Sequence, residues 1–217
     1  MAKKTVETAP VLEEQLNKSE AFFLKYKKPI IYCVVALVVI IAGVVLYNTY
    51  VAGPREQKAS TELSKAQQLF AQDQFDKALP IFQQVAGEYG STKAGNLATL
   101  YAGLCQAQLG KWEDALKLLE DFDLQDDQMI SPSVEGAIGN AYAHLKKYDE
   151  AVKHLKNAAE RADNNSLSPT FLIQAGEILE SQGKKDEALK LYQTVKDKYF
   201  RSMQYQTIDA YIERVSE

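Results

Sequence analysis

The side chains able to do chemistry are few and scattered. The histidines are His144 and His154, and the cysteines are Cys33 and Cys105. A zinc or related centre needs three or four such ligands converging at short spacing. No cysteine or second histidine stands at ligand spacing from either histidine, so both read as surface or groove-edge residues. The pairs Glu113-Asp114 and Asp149-Glu150 offer neighbouring carboxylates of the kind used for acid–base work. Each pair falls in the first turn of a predicted helix, where negative charge complements the helix dipole. Gly103, Gly110, Gly139 and Gly176 are single glycines, not a phosphate-cradling loop. No catalytic residue, metal or cofactor is expected, and the chain does not read as an enzyme. Binding remains.

Those glycines belong to a repeat. "QFDKALPIFQ" at residues 74–83 returns as "KWEDALKLLE" at 111–120, "KYDEAVKHLK" at 147–156 and "KKDEALKLYQ" at 184–193. The shared alanines are Ala78, Ala115, Ala151 and Ala188, spaced by 37, 36 and 37 residues. Twelve residues earlier stand Ala66, Gly103, Gly139 and Gly176; three earlier stand Phe75, Trp112, Tyr148 and Lys185. Four residues later come Phe82, Leu119, Leu155 and Tyr192, on one helix face with the alanine. The pattern predicts helix pairs: a small residue on the first helix lets the second approach closely, and the aromatic closes the crossing. Ser131-Pro132 and Ser168-Pro169 read as capped helix starts, and Gly110 and Gly183 as helix ends.

This small–aromatic–alanine pattern resembles the tetratricopeptide repeat. It implies an all-α superhelix of about four helix pairs, over residues 59–95, 96–131, 132–168 and 169–200. A final helix over 203–215 is expected to cover the last unit. In such a superhelix the first helices line the concave side. Leu63, Gln67, Phe70, Leu97, Leu100, Leu104 and Gln108 would form one half of a partner-binding groove; Asn140, His144, Ile173 and Glu177 would form the other. The first half is apolar, suiting an unfolded segment or a partner's helix, although the same leucines also suit core between adjacent helices.

Ahead of the repeats, residues 29–54 contain no charged side chain. The apolar stretch 30–47 would reach about 27 Å as a helix, close to the thickness of bilayer hydrocarbon. Tyr32, Tyr47 and Tyr50 suit its interfaces. A transmembrane helix is therefore expected over 29–51, followed by a linker at 52–58 and the repeat domain at 59–217. A cleaved signal peptide is the rival, with Val51-Ala52-Gly53 as processing site, but such apolar cores run about 7–15 residues after a short leader. Leu12, Leu16, Phe23 and Tyr26 fall near one face of a helix over 11–28, which either lies on the membrane or continues the span.

Residues 1–28 carry six lysines against four glutamates, and Lys25, Lys27 and Lys28 crowd the membrane edge. The positive-inside rule then predicts a cytoplasmic N-terminus and export of everything after the span. Of 25 basic and 29 acidic residues this leaves 19 and 25 in the exported part, a net of −6. That charge repels phosphate backbones, so no nucleic-acid partner is expected. With Cys33 inside the membrane, Cys105 has no intrachain partner, and stability must come from packing.

The layout as a whole resembles the YfgM-like ancillary subunits of the bacterial Sec translocon. Phe22-Phe23 in a short tail, one membrane helix, an exported repeat domain and "EYGSTKAGNLATLYAG" at 88–103 carry the resemblance. It implies a single-pass protein of the bacterial inner membrane, N-terminus cytoplasmic and C-terminal domain periplasmic. Its implied partners are the Sec channel, a membrane-anchored periplasmic chaperone of the prolyl-isomerase type, and emerging client proteins. The alternative is an anchored scaffold for envelope or division machinery, like the tetratricopeptide factor of the Tol–Pal system, which is usually released by signal cleavage.

Overall fold

The computed structural model describes the backbone of residues 9–216 and the side chains of residues 25–216. Leu12, Leu16, Phe22 and Phe23 therefore lie outside the described side chains. Among the described residues every regular element is helical, and the chain divides at Pro54 into two compact units.

The first unit is built on α1 (Ala9–Tyr47), which passes through Pro29 without a break. From Ile31 to Tyr47 every large apolar side chain is more than half exposed. Among the described residues this is the one helix long and apolar enough to cross a membrane. A π-helical turn, Asn48–Ala52, comes next, and its widened spacing has a local cause: Pro54 brings no N–H and its ring would clash with the carbonyl four residues back. The Gly53 N–H reaches back to the Asn48 carbonyl instead, a five-residue step.

Helix α2 (Gly53–Phe70) begins at once, so the linker expected at 52–58 is helix. Its first turn is tied into the repeats. The Arg55 guanidinium donates to the Glu88 carbonyl at 3.0 Å, and the Glu56 carboxylate accepts from the N–H groups of Lys93 (2.8 Å) and Ala94 (3.0 Å). A carboxylate among the free N–H groups of a helix start is favourably placed.

The repeats pair α2 with α3 (Phe75–Tyr89), α4 (Lys93–Gln108) with α5 (Trp112–Glu120), α6 (Ile130–His144) with α7 (Tyr148–Ala162), and α8 (Ser168–Ser181) with α9 (Lys185–Lys198). The four repeat alanines are fully buried. A Cβ on Gly103 would meet Leu119 Cγ at 2.8 Å, and one on Gly139 would meet Leu155 Cγ at 2.8 Å. On Gly176 it would run into the Tyr192 ring. So the residue four after each alanine sits on the small residue of the first helix, as the spacing predicts.

Each turn between the paired helices holds one left-handed residue: Asp73 (φ 57°), Gly110 (73°), Lys146 (60°) and Gly183 (74°), always five before the alanine. Glycine takes that conformation freely, whereas other residues are strained in it by about 1–2 kcal/mol.

Stacking of pairs makes the core. α2, α3 and α4 share one cluster around Phe82, and α4, α5 and α6 another around Leu119 and Ile138. A third joins α7, α8, α9 and the final helix around Tyr192 and Ile208. That final helix, α10 (Ile208–Ser216), is shorter than the 203–215 expected. Met203–Gln206 is a 3₁₀ turn whose entry is set by the Ser202 hydroxyl accepting from Tyr205 N–H, and Met203 is left 88% exposed. Ile208 and Val215 are the buried residues that close the last repeat.

Gly139→Leu or Ala151→Leu should overpack the α6–α7 crossing and lower stability by about 1–3 kcal/mol. Lys146→Gly should raise it by up to about 1 kcal/mol by relieving the left-handed strain. Thermal unfolding of the full chain in detergent, followed by circular dichroism, measures all three. Unchanged melting of the two leucine variants would mean the crossing lies elsewhere.

Candidate functional site

The first-helix residues expected to line a groove separate into two groups. Leu63 is buried and belongs with Phe70 to the α2–α3–α4 cluster. The Phe70 ring meets Phe75, Phe82 and Tyr101 edge-on, with centroids 5.1, 6.3 and 5.3 Å apart. Leu100 is buried in the α4–α5–α6 cluster, with Leu97 and Leu104 packed against it. Ile173 is buried in the cluster of α7 to α10. These apolar positions are taken into the clusters between packed helices, not laid out as an open stripe. The polar positions stay accessible: Gln108, His144 and Glu177 are exposed or partly so, and Gln67 and Asn140 half-buried.

Both histidines are engaged. The His144 ring stacks on Trp112 at 3.7 Å and 3° between planes, linking the end of α6 to the start of α5. His154 is half-buried: its Nδ1 lies 2.9 Å from Glu135 Oε1 across the α6–α7 crossing, with Glu135 itself buried. The His154 ring also stacks on Tyr142 (5.2 Å), whose hydroxyl donates to Glu120 at 2.8 Å. Among the described residues no three His, Cys, Asp or Glu side chains converge as a metal site. Cys105 is fully buried, and burial pushes its thiol up to about 11.

The feature that sequence reasoning missed is the segment between α5 and α6. The second helices α3 and α7 each have 15 residues, whereas α5 has 9 and stops at Glu120. An irregular loop of residues 121–129 takes over there, held at several points. Asn96 both donates to the Asp123 carbonyl and accepts from the Asp123 N–H, each at 2.9 Å. The Ser131 hydroxyl accepts from Gln125 N–H at 2.8 Å, and the Asn164 amide donates to the Gln128 carbonyl at 3.0 Å. A cleft of about 760 Å³ opens beside this loop, toward the start of α4. The signal was present in the alignment of the phrases: "DFDLQDDQM" crowds four aspartates where the other units continue a mixed helix.

The loop also revises the helix starts. Ser131 and Ser168 are fully buried and lie inside α6 and α8, so neither is the cap expected of it. The caps are Asp127 and Asn164, 37 residues apart. Asp127 accepts from the N–H groups of Met129 (2.8 Å) and Ile130 (2.5 Å) and from the Ser131 hydroxyl (2.6 Å). Asn164 Oδ1 accepts from Ser166 and Leu167, both at 2.9 Å. The serines instead fasten the preceding chain; the Ser168 hydroxyl donates to the Ala159 carbonyl at 2.8 Å. Burial alone would raise the Asp127 carboxyl, but the Ser131 hydroxyl and the N–H groups of Met129, Ser131 and Ile130 outweigh it and hold the group below the ordinary range.

A family model described as a tetratricopeptide repeat-like domain matches residues 20–215. No curated protein matches the chain. Among solved structures it is similar to the nearly identical TPR-like repeats of a kinesin light chain from Podosopora anserina, at 13% identity and TM-score 0.59, covering 74% of this chain and 86% of that one. It is also similar to MamA, at 14% identity and TM-score 0.54, covering 73% and 86%. YrrB, a TPR protein with an unusual peptide-binding site, matches at 18% identity and TM-score 0.50, covering 79% and 83%. At such identities the likeness is one of fold.

Asp127→Ala should destabilise the chain by about 1 kcal/mol, the usual cost of a lost cap. Because the folded carboxyl is held below its unfolded value of about 3.9, its contribution is complete above that pH and fades as pH falls through the folded value. Denaturant melts at pH 7 and pH 3 should therefore differ less for the variant than for the parent. An equal difference would show that Asp127 is not the acid-sensitive cap.

Proposed function

The chain belongs to the tetratricopeptide repeat-like domain family, and on that premise we propose that it is a membrane-anchored protein-binding module serving proteins that emerge from the bacterial Sec translocon. The carrying observation is that a helix exposing an uninterrupted apolar surface from Ile31 to Tyr47 precedes a repeat solenoid in the chain. Apolar surface of that length with no protein cover is stable only in lipid or against another apolar helix. The family match begins at residue 20, upstream of the apolar stretch, which supports an anchor retained with the domain.

On this reading residues 29–51 span the inner membrane, the lysine-rich start is cytoplasmic and the repeats are periplasmic. The Sec channel and a membrane-anchored chaperone of the prolyl-isomerase type are its partners, and emerging clients its cargo. The accessible first-helix residues Gln108, His144 and Glu177 offer polar contacts to such partners. Leu63, Leu100 and Ile173 are buried beneath that face and are not free to be contacted without disturbing the core.

Topology and partnership are separately testable. With Cys33 and Cys105 replaced by serine, Glu177→Cys should react with a membrane-impermeant thiol reagent in cells whose outer membrane alone is permeable. Labelling that requires rupture of the inner membrane would reverse the orientation. Purification in mild detergent after crosslinking should recover translocon subunits with the chain. Recovery of outer-envelope or division proteins in their place would favour an envelope scaffold.

A further inference from the structure

The cleft beside residues 121–129 is lined by apolar side chains and bordered by an acidic loop. Leu97 and Phe122 form its base, and Met129 and Ile130 stand at its edge, 56% and 46% exposed. Two exposed residues of that size side by side form a small apolar patch. The same loop carries Asp121, Asp123, Asp126 and Asp127 and no lysine or arginine. Asp127 is spent on the α6 cap, but Asp121, Asp123 and Asp126 are exposed, and among the described residues none of the three has an ion-pair partner within 4.0 Å. Lys93 is the single cation among the residues that line the cleft. Arg161 approaches the loop from α7, at the Gln125 carbonyl and 3.5 Å away, and is not among the lining residues.

The cleft is also pre-formed. The loop is pinned to α4 through Asn96, to α6 through Ser131 and to the turn before α8 through Asn164. A ligand entering it need not order the loop first, which removes a common entropic penalty of binding. An apolar lining beside Asp123, in a loop with three further aspartates and no cation, favours a partner with the opposite arrangement: a bulky apolar side chain flanked by positive charge.

We propose that this cleft binds an extended polypeptide segment in which one large apolar side chain sits next to lysine or arginine. The apolar side chain enters between Leu97, Phe122, Met129 and Ile130, and a flanking cation faces Asp123, with Asp121 and Asp126 further along the same loop. This deepens the reading of the chain as a protein-binding module and rests on it, but not on the identity of the partner complex.

The test uses the full chain in detergent and fluorescent Gly/Ser peptides carrying one phenylalanine, flanked either by arginines or by glutamates. Fluorescence anisotropy should show binding of the arginine peptide and none of the glutamate peptide. Ile130→Glu should weaken binding by about tenfold or more, since it places a charge where an apolar group was buried. Asp123→Lys should weaken it severalfold at low salt, with the difference shrinking at high salt as exposed charges are screened. Both sites are exposed, so the fold should survive; Met129→Asp serves if Ile130→Glu does not fold by circular dichroism. Equal binding of the glutamate peptide, or full binding by Ile130→Glu and Met129→Asp, would overturn the proposal. So would a dimer in sedimentation that Ile130→Glu dissolves, because the occupant would then be a second copy of the chain. Lost peptide binding with translocon crosslinks intact would sink the cleft alone. Peptide binding with crosslinks only to other proteins would sink the translocon reading and leave the cleft standing.

Discussion

The close approach of two helices at a residue without a side chain governs the rest of the repeat domain. At Gly103, Gly139 and Gly176 the second helix lays Leu119, Leu155 or Tyr192 where a Cβ would be. Ala66 stands at that position in the first unit, buried in the same cluster as Phe82. Because the approach is set to within a methyl group, the turn must reverse the chain in a fixed number of residues, and each turn contains its one left-handed residue. Dense interiors tolerate little change in volume. The crossing therefore fixes which face of each pair remains apolar, and that face is what the next pair must cover.

Covering it is a matter of packing and of backbone caps rather than of ion pairs. Lys184–Asp149 (2.9 Å) joins neighbouring units, but its partners are 40% and 82% exposed, and such pairs contribute little. Glu56 at the start of α4, Asp127 before α6 and Asn164 before α8 satisfy helix N–H groups and tie one unit to the next. At the far end Arg214 grips Glu180 with both nitrogens, at 2.6 and 2.8 Å, and Tyr192 donates to the same carboxylate. The Arg214 guanidinium, with Tyr192, holds that carboxyl below its ordinary range despite burial. The last helix is thus fastened by a fork-shaped pair as well as by Ile208 and Val215.

The helix pairs were legible because their constraint is local: an alanine, its small partner twelve residues earlier and the residue four after it can be read along one stretch of chain. The left-handed positions were half legible, since Gly110 and Gly183 announce themselves while Asp73 and Lys146 do not. The status of Leu63, Leu97, Leu100 and Leu104 was not legible, because one helical face serves equally as a groove or as a seam. Only the distance between successive first helices decides between them. Nor could spacing reveal that Asp127 and Asn164, not the serines, cap their helices. A serine before proline carries the usual signal, and the competing acceptor lies four residues away in a loop. The shortness of α5 was hidden for the same reason. Its opening phrase matches the others, and the departure begins where the repeat is least regular.

Burial of the one thiol in the repeats has a kinetic consequence. Cys105 lies in the seam where α2, α3 and α4 meet, with no measurable exposure. Burial raises its thiol to about 11, which disfavours the reactive thiolate. In an oxidising milieu the folded chain is thus silent toward mixed-disulfide formation and oxidation, although it carries a thiol with no partner to pair with. Its chemistry begins when the seam parts. The rate at which Cys105 is modified is then a clock for the opening of the first two repeats, and an oxidised Cys105 marks a molecule that has been open.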